Sequence, residues 1–204
     1  MKKDDTEYEV KFYPVEKSEF RHKLQSVGAR LVIPERKMIR SVADFRENPT
    51  LGNRECIRVR DEGGVVRLSF KSFVKDAKTI NDQKEIETEV SDFDATVRIL
   101  EKTGLKFNRH QETLREEWDI DGVQITIDTW PGLLTYSEIE GNSEESVIRI
   151  TKLLGFDWDE KLIMPASQLY AKVYGITDEE ALEKISDITF KKVPFKDKKK
   201  VWPI

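Results

Sequence analysis

The chain has 204 residues, of which 38% are apolar and 36% are charged. Its 35 lysines and arginines against 39 acids leave a net charge of −4, which is unlike the basic balance of a protein that binds nucleic acid by bulk charge. One cysteine excludes a disulfide framework, and no apolar run reaches the about 18 residues of a membrane helix. We therefore expect a cytoplasmic protein with no nucleic-acid or membrane partner, and both a monomer and a homodimer remain open.

Several segments alternate between apolar and polar residues with a period of two, which predicts β-strands. They are Thr6 to Phe12, Lys37 to Phe45, Cys56 to Asp61, Val66 to Ser72, Lys84 to Val90, Glu112 to Ile120, Val123 to Thr129 and Thr135 to Glu140. Asp61 to Gly64 and Asp119 to Gly122 supply glycine for hairpin turns. Most of the strands can therefore pair as antiparallel neighbours.

Helices are predicted at five places between and after these strands. The segments Lys17 to Val27, Phe93 to Thr103 and Glu144 to Leu154 each carry apolar residues on one face and are each followed by glycine. Pro165 opens a fourth helix that ends near Gly175, and Thr177 begins a capping box for a fifth. This combination predicts an α+β fold dominated by antiparallel sheet.

Charged residues share one face on several of the predicted strands. The sets are Glu7, Glu9 and Lys11; Arg58 and Arg60; Arg67 and Lys71; Glu85, Glu87 and Glu89; Asp128; and Glu138 and Glu140. For any one strand, a charged face exposed to water is the simplest interpretation. For the whole set we favour a closed sheet whose charged faces converge on a lumen, because adjacent like charges repel each other on an ordinary strand face.

Converging charges of both signs have a chemical use. Carboxylates held together need a cation, since otherwise their pKa values rise. Oxygen ligands suit Mg²⁺ or Mn²⁺, and forked guanidinium groups match the oxygens of a phosphate. Acids for a metal ion beside bases for phosphates predict phosphoryl chemistry.

A Glu-x-Glu-x-Lys motif lies close to the N-terminus, at Glu7 to Lys11. Together with Arg58-Val59-Arg60, Lys71, Asp128 and Glu138-Ile139-Glu140, in this order, it resembles the CYTH superfamily. These are triphosphate tunnel metalloenzymes: class IV adenylate cyclases, thiamine triphosphatases and inorganic triphosphatases. The resemblance implies an eight-stranded antiparallel β tunnel (barrel) with flanking helices in residues 1–176. Residues 177–204 remain as a C-terminal helix and a lysine-rich tail. We expect the last ten residues, which contain four lysines, to be mobile.

The resemblance also implies a role for individual residues. Those that match the phosphate-binding and catalytic bases are Lys11, Arg58, Arg60, Lys71 and Arg115, with Lys84 as a further substrate-binding residue. Those that match the ligands of Mg²⁺ or Mn²⁺ are Glu7, Glu9, Glu87, Asp128, Glu138 and Glu140. Strand alternation, however, places Lys84 on the face opposite Glu85 and Glu87.

The chain departs from the family pattern at a few positions. Thr113 stands where a lysine is frequent, so either one phosphate contact is lost or Arg109 replaces it. Animal thiamine triphosphatases have a tryptophan at the position of Cys56 and a lysine at that of Ser167. Both differences disfavour thiamine triphosphate as the substrate.

The resulting hypothesis is a divalent-metal-dependent triphosphatase that acts on inorganic triphosphate or a nucleoside triphosphate. An alternative is a class IV adenylate cyclase, in which a ribose hydroxyl rather than water attacks the phosphate. A second alternative is a binding module that holds a triphosphate or polyphosphate without turnover. An RNA-end processor is disfavoured, because the sequence shows no aromatic-rich basic surface.

Overall fold

The computed structural model describes residues 8–44, 53–74, 79 and 83–203. The main strands are β1 (Tyr8–Phe12), β2 (Arg30–Asp44), β3 (Asn53–Asp61), β4 (Val66–Val74), β5 (Gln83–Val90), β6 (Arg109–Ile120), β7 (Val123–Thr129) and β8 (Tyr136–Gly141). All pair antiparallel, in the order β1-β8-β7-β6-β2-β3-β4-β5. A short β9 (Asp187–Ile188), which the sequence analysis did not predict, runs parallel to β6. The predicted α+β fold with eight antiparallel strands is confirmed.

The two faces of this curled sheet have opposite character. On β1, Val10 and Phe12 are buried in an apolar cluster outside the sheet, whereas Glu9 and Lys11 line a cavity inside it. On β8, Ile139 likewise packs outside between two cavity-lining glutamates. The apolar core therefore lies between the sheet and the helices, and the space that the sheet encloses is charged.

Five helices are present at the predicted places in the described part of the chain. They are α1 (Lys17–Ser26), α2 (Phe93–Lys102), α3 (Glu144–Leu153), α4 (Ala166–Tyr174) and α5 (Asp178–Lys184). The Asp92, Ser143 and Thr177 side chains cap α2, α3 and α5 by accepting a backbone N–H, and the predicted capping box at Thr177 is formed. None of these helices combines the length and apolarity needed to cross a membrane.

Helices α4 and α5 contribute buried apolar residues to a core cluster on one side of the cavity. Leu169, Tyr170 and Ala181 from these helices are fully buried in a cluster that also contains Trp130 and Tyr136. Elsewhere, α1 and α3 cover the outer face of β1, β7 and β8, and α2 packs near β3.

Strand β2 is longer than predicted, because it begins at Arg30 rather than at Lys37. The part of β2 that was not predicted contains Pro34. Because proline cannot donate a backbone hydrogen bond, it is unfavourable inside a strand and hides this part of β2 in the sequence. In the structure, the pairing of β2 with β6 shifts register between Leu31 and Arg36, so that bulges accommodate the proline. Phe45, the predicted end of this strand, lies outside the described residues.

The C-terminal segment packs against the domain, so the expectation of a mobile tail is wrong for it. Phe195 is 2% exposed and stacks on Tyr174 at a ring distance of 4.4 Å. The Val201 amide donates to the Val173 carbonyl over 2.8 Å, and Trp202 stacks on Tyr13. The lysines dominate the composition of this segment, but its aromatic residues determine where it lies.

Candidate active site

A cavity of about 340 Å³ lies inside the curled sheet. All eight main strands contribute side chains to it, and α4 and α5 cover part of it. Its lining includes the predicted site residues Glu9, Lys11, Arg58, Arg60, Lys71, Glu87, Arg115, Glu138 and Glu140. Strand alternation brings them together, because each occupies the inward face of its strand.

The acids of β1 and β8 face each other across one strand pair. Glu9 lies directly opposite Glu140, and Lys11 lies directly opposite Glu138. The Lys11 ammonium contacts both Glu9 and Glu138, the latter at 3.1 Å. Burial would lower the pKa of Lys11, but these two carboxylates hold it above its ordinary value. Burial would raise the pKa of Glu138, but Lys11 and Arg115 keep it well below its ordinary value.

Glu140 is left with the least compensated charge of this group. Its pKa is raised to about 7. Burial is the largest cause, and the nearby carboxylates of Glu9, Glu85 and Glu138 act in the same direction, whereas Lys71 acts in the opposite one. A carboxylate whose neighbours are mainly other carboxylates is stabilised in its charged form when a cation binds.

The bases of β3 and β4 form a second charged group, in which each cation contacts an acid. Arg58 lies 2.8 Å from Glu85, and Lys71 lies 2.7 Å from the same carboxylate. Arg60 donates from Nε to Glu62 over 2.7 Å. Burial and the nearby Arg58 lower the pKa of Arg60 to about 10. Glu87 lies between these bases, 3.5 Å from Arg58 and 3.8 Å from Arg60.

Arg115 is held in a fixed orientation by Asp128. Its Nε and Nη2 donate to the two oxygens of Asp128 over 2.8 and 2.9 Å. Its Nη2 also donates to Glu138, and the Thr126 hydroxyl donates to Asp128. Asp128 is completely buried and does not itself line the cavity, so it lies behind the arginine.

Lys84, a further predicted residue, is exposed on β5 and is absent from the lining, as strand alternation indicated. Glu7, the first acid of the motif, lies outside the described residues.

Sequence reasoning missed several residues that line the cavity, above all Arg40 and Glu62. Alternation did place Glu85 on the charged face of β5 beside Glu87, but the motif gave this residue no role, and the structure shows that it also lines the cavity. Arg40 and Glu62 lie in segments with no matching motif and gave no comparable signal. Arg109, the expected replacement for the lysine that is frequent at Thr113, lines the cavity and contacts Asp44. Thr113 itself accepts a hydrogen bond from Arg40. Whether Arg109 binds a phosphate in place of that lysine stays a prediction.

The donor set fits a divalent cation. Glu9, Glu138 and Glu140 offer carboxylate oxygens, which Mg²⁺ and Mn²⁺ prefer. In the present conformation, no three acids, histidines or cysteines within the described ranges stand close enough together to hold an ion. Lys11 contacts two of these carboxylates, those of Glu9 and Glu138, whereas burial and the neighbouring carboxylates raise the pKa of Glu140.

Comparison with protein families gives a match over most of the chain. The model of the CYTH domain matches residues 5–148. The chain belongs to the CYTH domain family. This family includes triphosphatases and adenylyl cyclases, binds triphosphate substrates and depends in general on divalent metal ions. A search of curated proteins finds no match.

Solved structures share the CYTH fold with this chain. A candidate adenylate cyclase from Vibrio parahaemolyticus superposes with a TM-score of 0.67 at 12% identity, over 82% of this chain and 98% of its own. A protein of Pyrococcus furiosus gives 0.61 at 21% identity, over 77% and 95%. A protein of Pyrococcus horikoshii gives 0.59 at 24% identity, over 80% and 97%. At these identities the likeness shows the fold alone.

Proposed function

We propose that this chain is an enzyme that hydrolyses inorganic triphosphate or a nucleoside triphosphate, with Mg²⁺ or Mn²⁺ as the cofactor. The observation that carries the proposal is the arrangement of charge in the cavity. Acids of β1 and β8 form one group, while the arginines and lysine of β3 and β4 form another. A substrate with several phosphates and a bound cation complements both groups.

Lys11, Arg58, Arg60, Lys71 and Arg115 would bind the phosphate oxygens. Their present acid partners hold them on the inward face, so they are oriented before the substrate arrives. Phosphate oxygens would replace Glu85 on Arg58 and Lys71, because a guanidinium binds phosphate through paired, charge-assisted hydrogen bonds. The same cations would offset charge that develops on the phosphates in the transition state.

Glu9, Glu138 and Glu140 would hold the cation, together with Glu7 as the motif predicts. A bound ion at these acids would polarise phosphate oxygens and lower the pKa of a water molecule. For Glu87 and Asp128, which the motif predicts as metal ligands, we propose a different role. Each faces arginines in the structure, so it would orient a base instead.

Thiamine triphosphate is disfavoured as the substrate by three residues of the cavity. Cys56 and Ser167 both line it and offer neither an aromatic face nor a positive charge. Trp130 also lines the cavity, but the guanidinium of Arg40 lies 4.7 Å from the centre of its ring and covers that face.

One experiment tests the function and separates the alternatives. Release of phosphate, pyrophosphate and cyclic AMP is measured for inorganic triphosphate, ATP, GTP and thiamine triphosphate, first with Mg²⁺ and then with Mn²⁺. Glu138→Gln, prepared in parallel, controls for contaminating phosphatases. We expect phosphate release from inorganic triphosphate, ATP or GTP.

Each other outcome has a definite meaning. Cyclic AMP as the main product would establish the adenylate cyclase instead. Tight binding of triphosphates without product would establish the binding module. A kcat/KM that is tenfold higher for thiamine triphosphate than for the other substrates would refute the argument from Cys56 and Ser167.

A further inference from the structure

Arg40 is a buried cation that has no carboxylate partner in the described part of the chain. It lies on β2, is 7% exposed and lines the cavity. Its Nη2 donates to the Thr113 hydroxyl over 2.9 Å, and its guanidinium lies over Trp130. Its Nε has no hydrogen-bond partner among the residues the structure describes. A buried charge in this state is costly unless an anion binds to it.

The immediate neighbours of Arg40 are also positive. Arg40 lies directly opposite Arg60 in the pairing of β2 with β3, and like charges at such positions destabilise a sheet. Burial and the proximity of Arg58, Arg60 and Arg115 lower the pKa of Arg40 to about 9. Those three arginines each contact an acid, whereas Arg40 contacts a hydroxyl and an aromatic ring.

We propose that Arg40 is a further phosphate-binding residue, which holds the phosphoryl group on the side of the cavity that α4 and α5 cover. The inference rests on the proposed function and deepens it. Two contacts place Arg40 on this side of the cavity. Gln111, its partner on β6, donates to the Ile185 carbonyl just after α5. Trp130, which lies under the Arg40 guanidinium, packs edge to face against Tyr170 of α4. On this side of the cavity a phosphoryl group would complete the hydrogen bonding of the guanidinium.

The test compares binding and stability in Arg40→Met, which removes the charge and keeps an extended side chain over Trp130. Isothermal titration with inorganic triphosphate, in chelator at low salt, measures affinity without turnover. We expect the affinity to fall by tenfold or more. We also expect the Tm without ligand to stay level or rise, because replacing a buried charge with an apolar side chain is often neutral or stabilising. Arg30→Met is the matched control, since Arg30 lies on the same strand with its side chain 71% exposed.

The opposite pattern overturns the inference. If Arg40 serves only the packing of β2, its replacement will lower Tm and leave the affinity of the folded protein unchanged. Arg40→Lys separates charge from bulk, because it should recover part of the lost affinity. If Arg40→Met does not fold, Arg40→Gln gives the same comparison.

Failure of the function and failure of this inference are distinguishable. A wild-type chain that binds triphosphate without hydrolysing it contradicts the proposed function, and the Arg40 comparison still decides the inference. A wild-type chain that binds no triphosphate contradicts both. Hydrolysis with an unchanged affinity in Arg40→Met contradicts the inference alone.

Discussion

Glu140 of β8 lies directly opposite Glu9 of β1, and both carboxylates face the cavity. Lys11 contacts Glu9 and Glu138 but leaves Glu140 among other acids, so the pKa of Glu140 is raised to about 7. Arg40 is its counterpart of opposite sign, because it is a buried cation among other cations. Each is a buried charge whose described neighbours are mainly of its own sign, so a bound metal ion would complement Glu140 and a bound phosphate would complement Arg40.

The raised pKa of Glu140 predicts a pH-dependent stability. The value in the folded chain lies above the ordinary 4.5, so the folded state binds this proton more tightly than the unfolded state. The contribution of Glu140 to the free energy of unfolding should therefore fall as pH rises from about 4.5 to about 7, and then stay level. Urea unfolding of wild type and Glu140→Gln in chelator, from pH 4.5 to pH 8, isolates this contribution as the difference between the two.

At and above pH 7, a saturating divalent ion should remove the difference in unfolding free energy between wild type and Glu140→Gln, because the ion binds the charged Glu140 carboxylate of the wild type. The metal affinity of the wild type should accordingly increase up to about pH 7. A difference between the two proteins that does not depend on pH would contradict the assignment of an unbalanced charge to Glu140.

Removal of divalent ions should abolish turnover. Chelation is expected to reduce hydrolysis to background, and added Mg²⁺ or Mn²⁺ should restore it. Glu138→Ala should lose most activity while the far-UV circular dichroism spectrum stays native, because Glu138 lines the cavity and is not part of the apolar core. Full hydrolysis in excess chelator would refute the metal-dependent mechanism.

Loss of either arginine of β3 should reduce kcat/KM by about tenfold or more. A charge-assisted hydrogen bond contributes about 1.5–3 kcal/mol, and about 1.4 kcal/mol corresponds to a factor of ten. The variants are Arg58→Ala and Arg60→Ala, measured under steady-state conditions. The control is Arg98→Ala, an exposed arginine of α2 outside the cavity lining. Wild-type rates in both β3 variants would show that these arginines do not bind the substrate.

Replacing Asp128, which holds Arg115, should lower the free energy of unfolding. Asp128→Asn weakens a buried, doubly hydrogen-bonded pair, and breaking such a pair typically costs about 3–5 kcal/mol. Asp119→Asn is the matched control, because its pair with Arg30 is 3.8 Å long at the surface and should contribute at most about 1 kcal/mol. Denaturant unfolding of the two variants compares them directly, and equal losses would mean that Asp128 does not anchor the arginine.

Which side chains face inward was determined largely by the sequence. A period of two assigns alternate residues of a strand to opposite faces, so Glu9 and Lys11 separate from Val10 and Phe12 before any tertiary contact is known. The same local rule placed Lys84 on the face opposite Glu85. Helix starts were equally local, because capping depends on residues within one turn of each other, as at Thr177.

Only the tertiary structure decided which inward residues meet and how deeply each is buried. The role of Arg40 depends on its register opposite Arg60 and on its contact with Thr113, 73 positions along the chain. Asp128 shares the inward alternation of its strand but lies behind Arg115, and strand period carries no information about depth. Register between strands and the curvature of a sheet arise from contacts distant in sequence, so no local pattern encodes them.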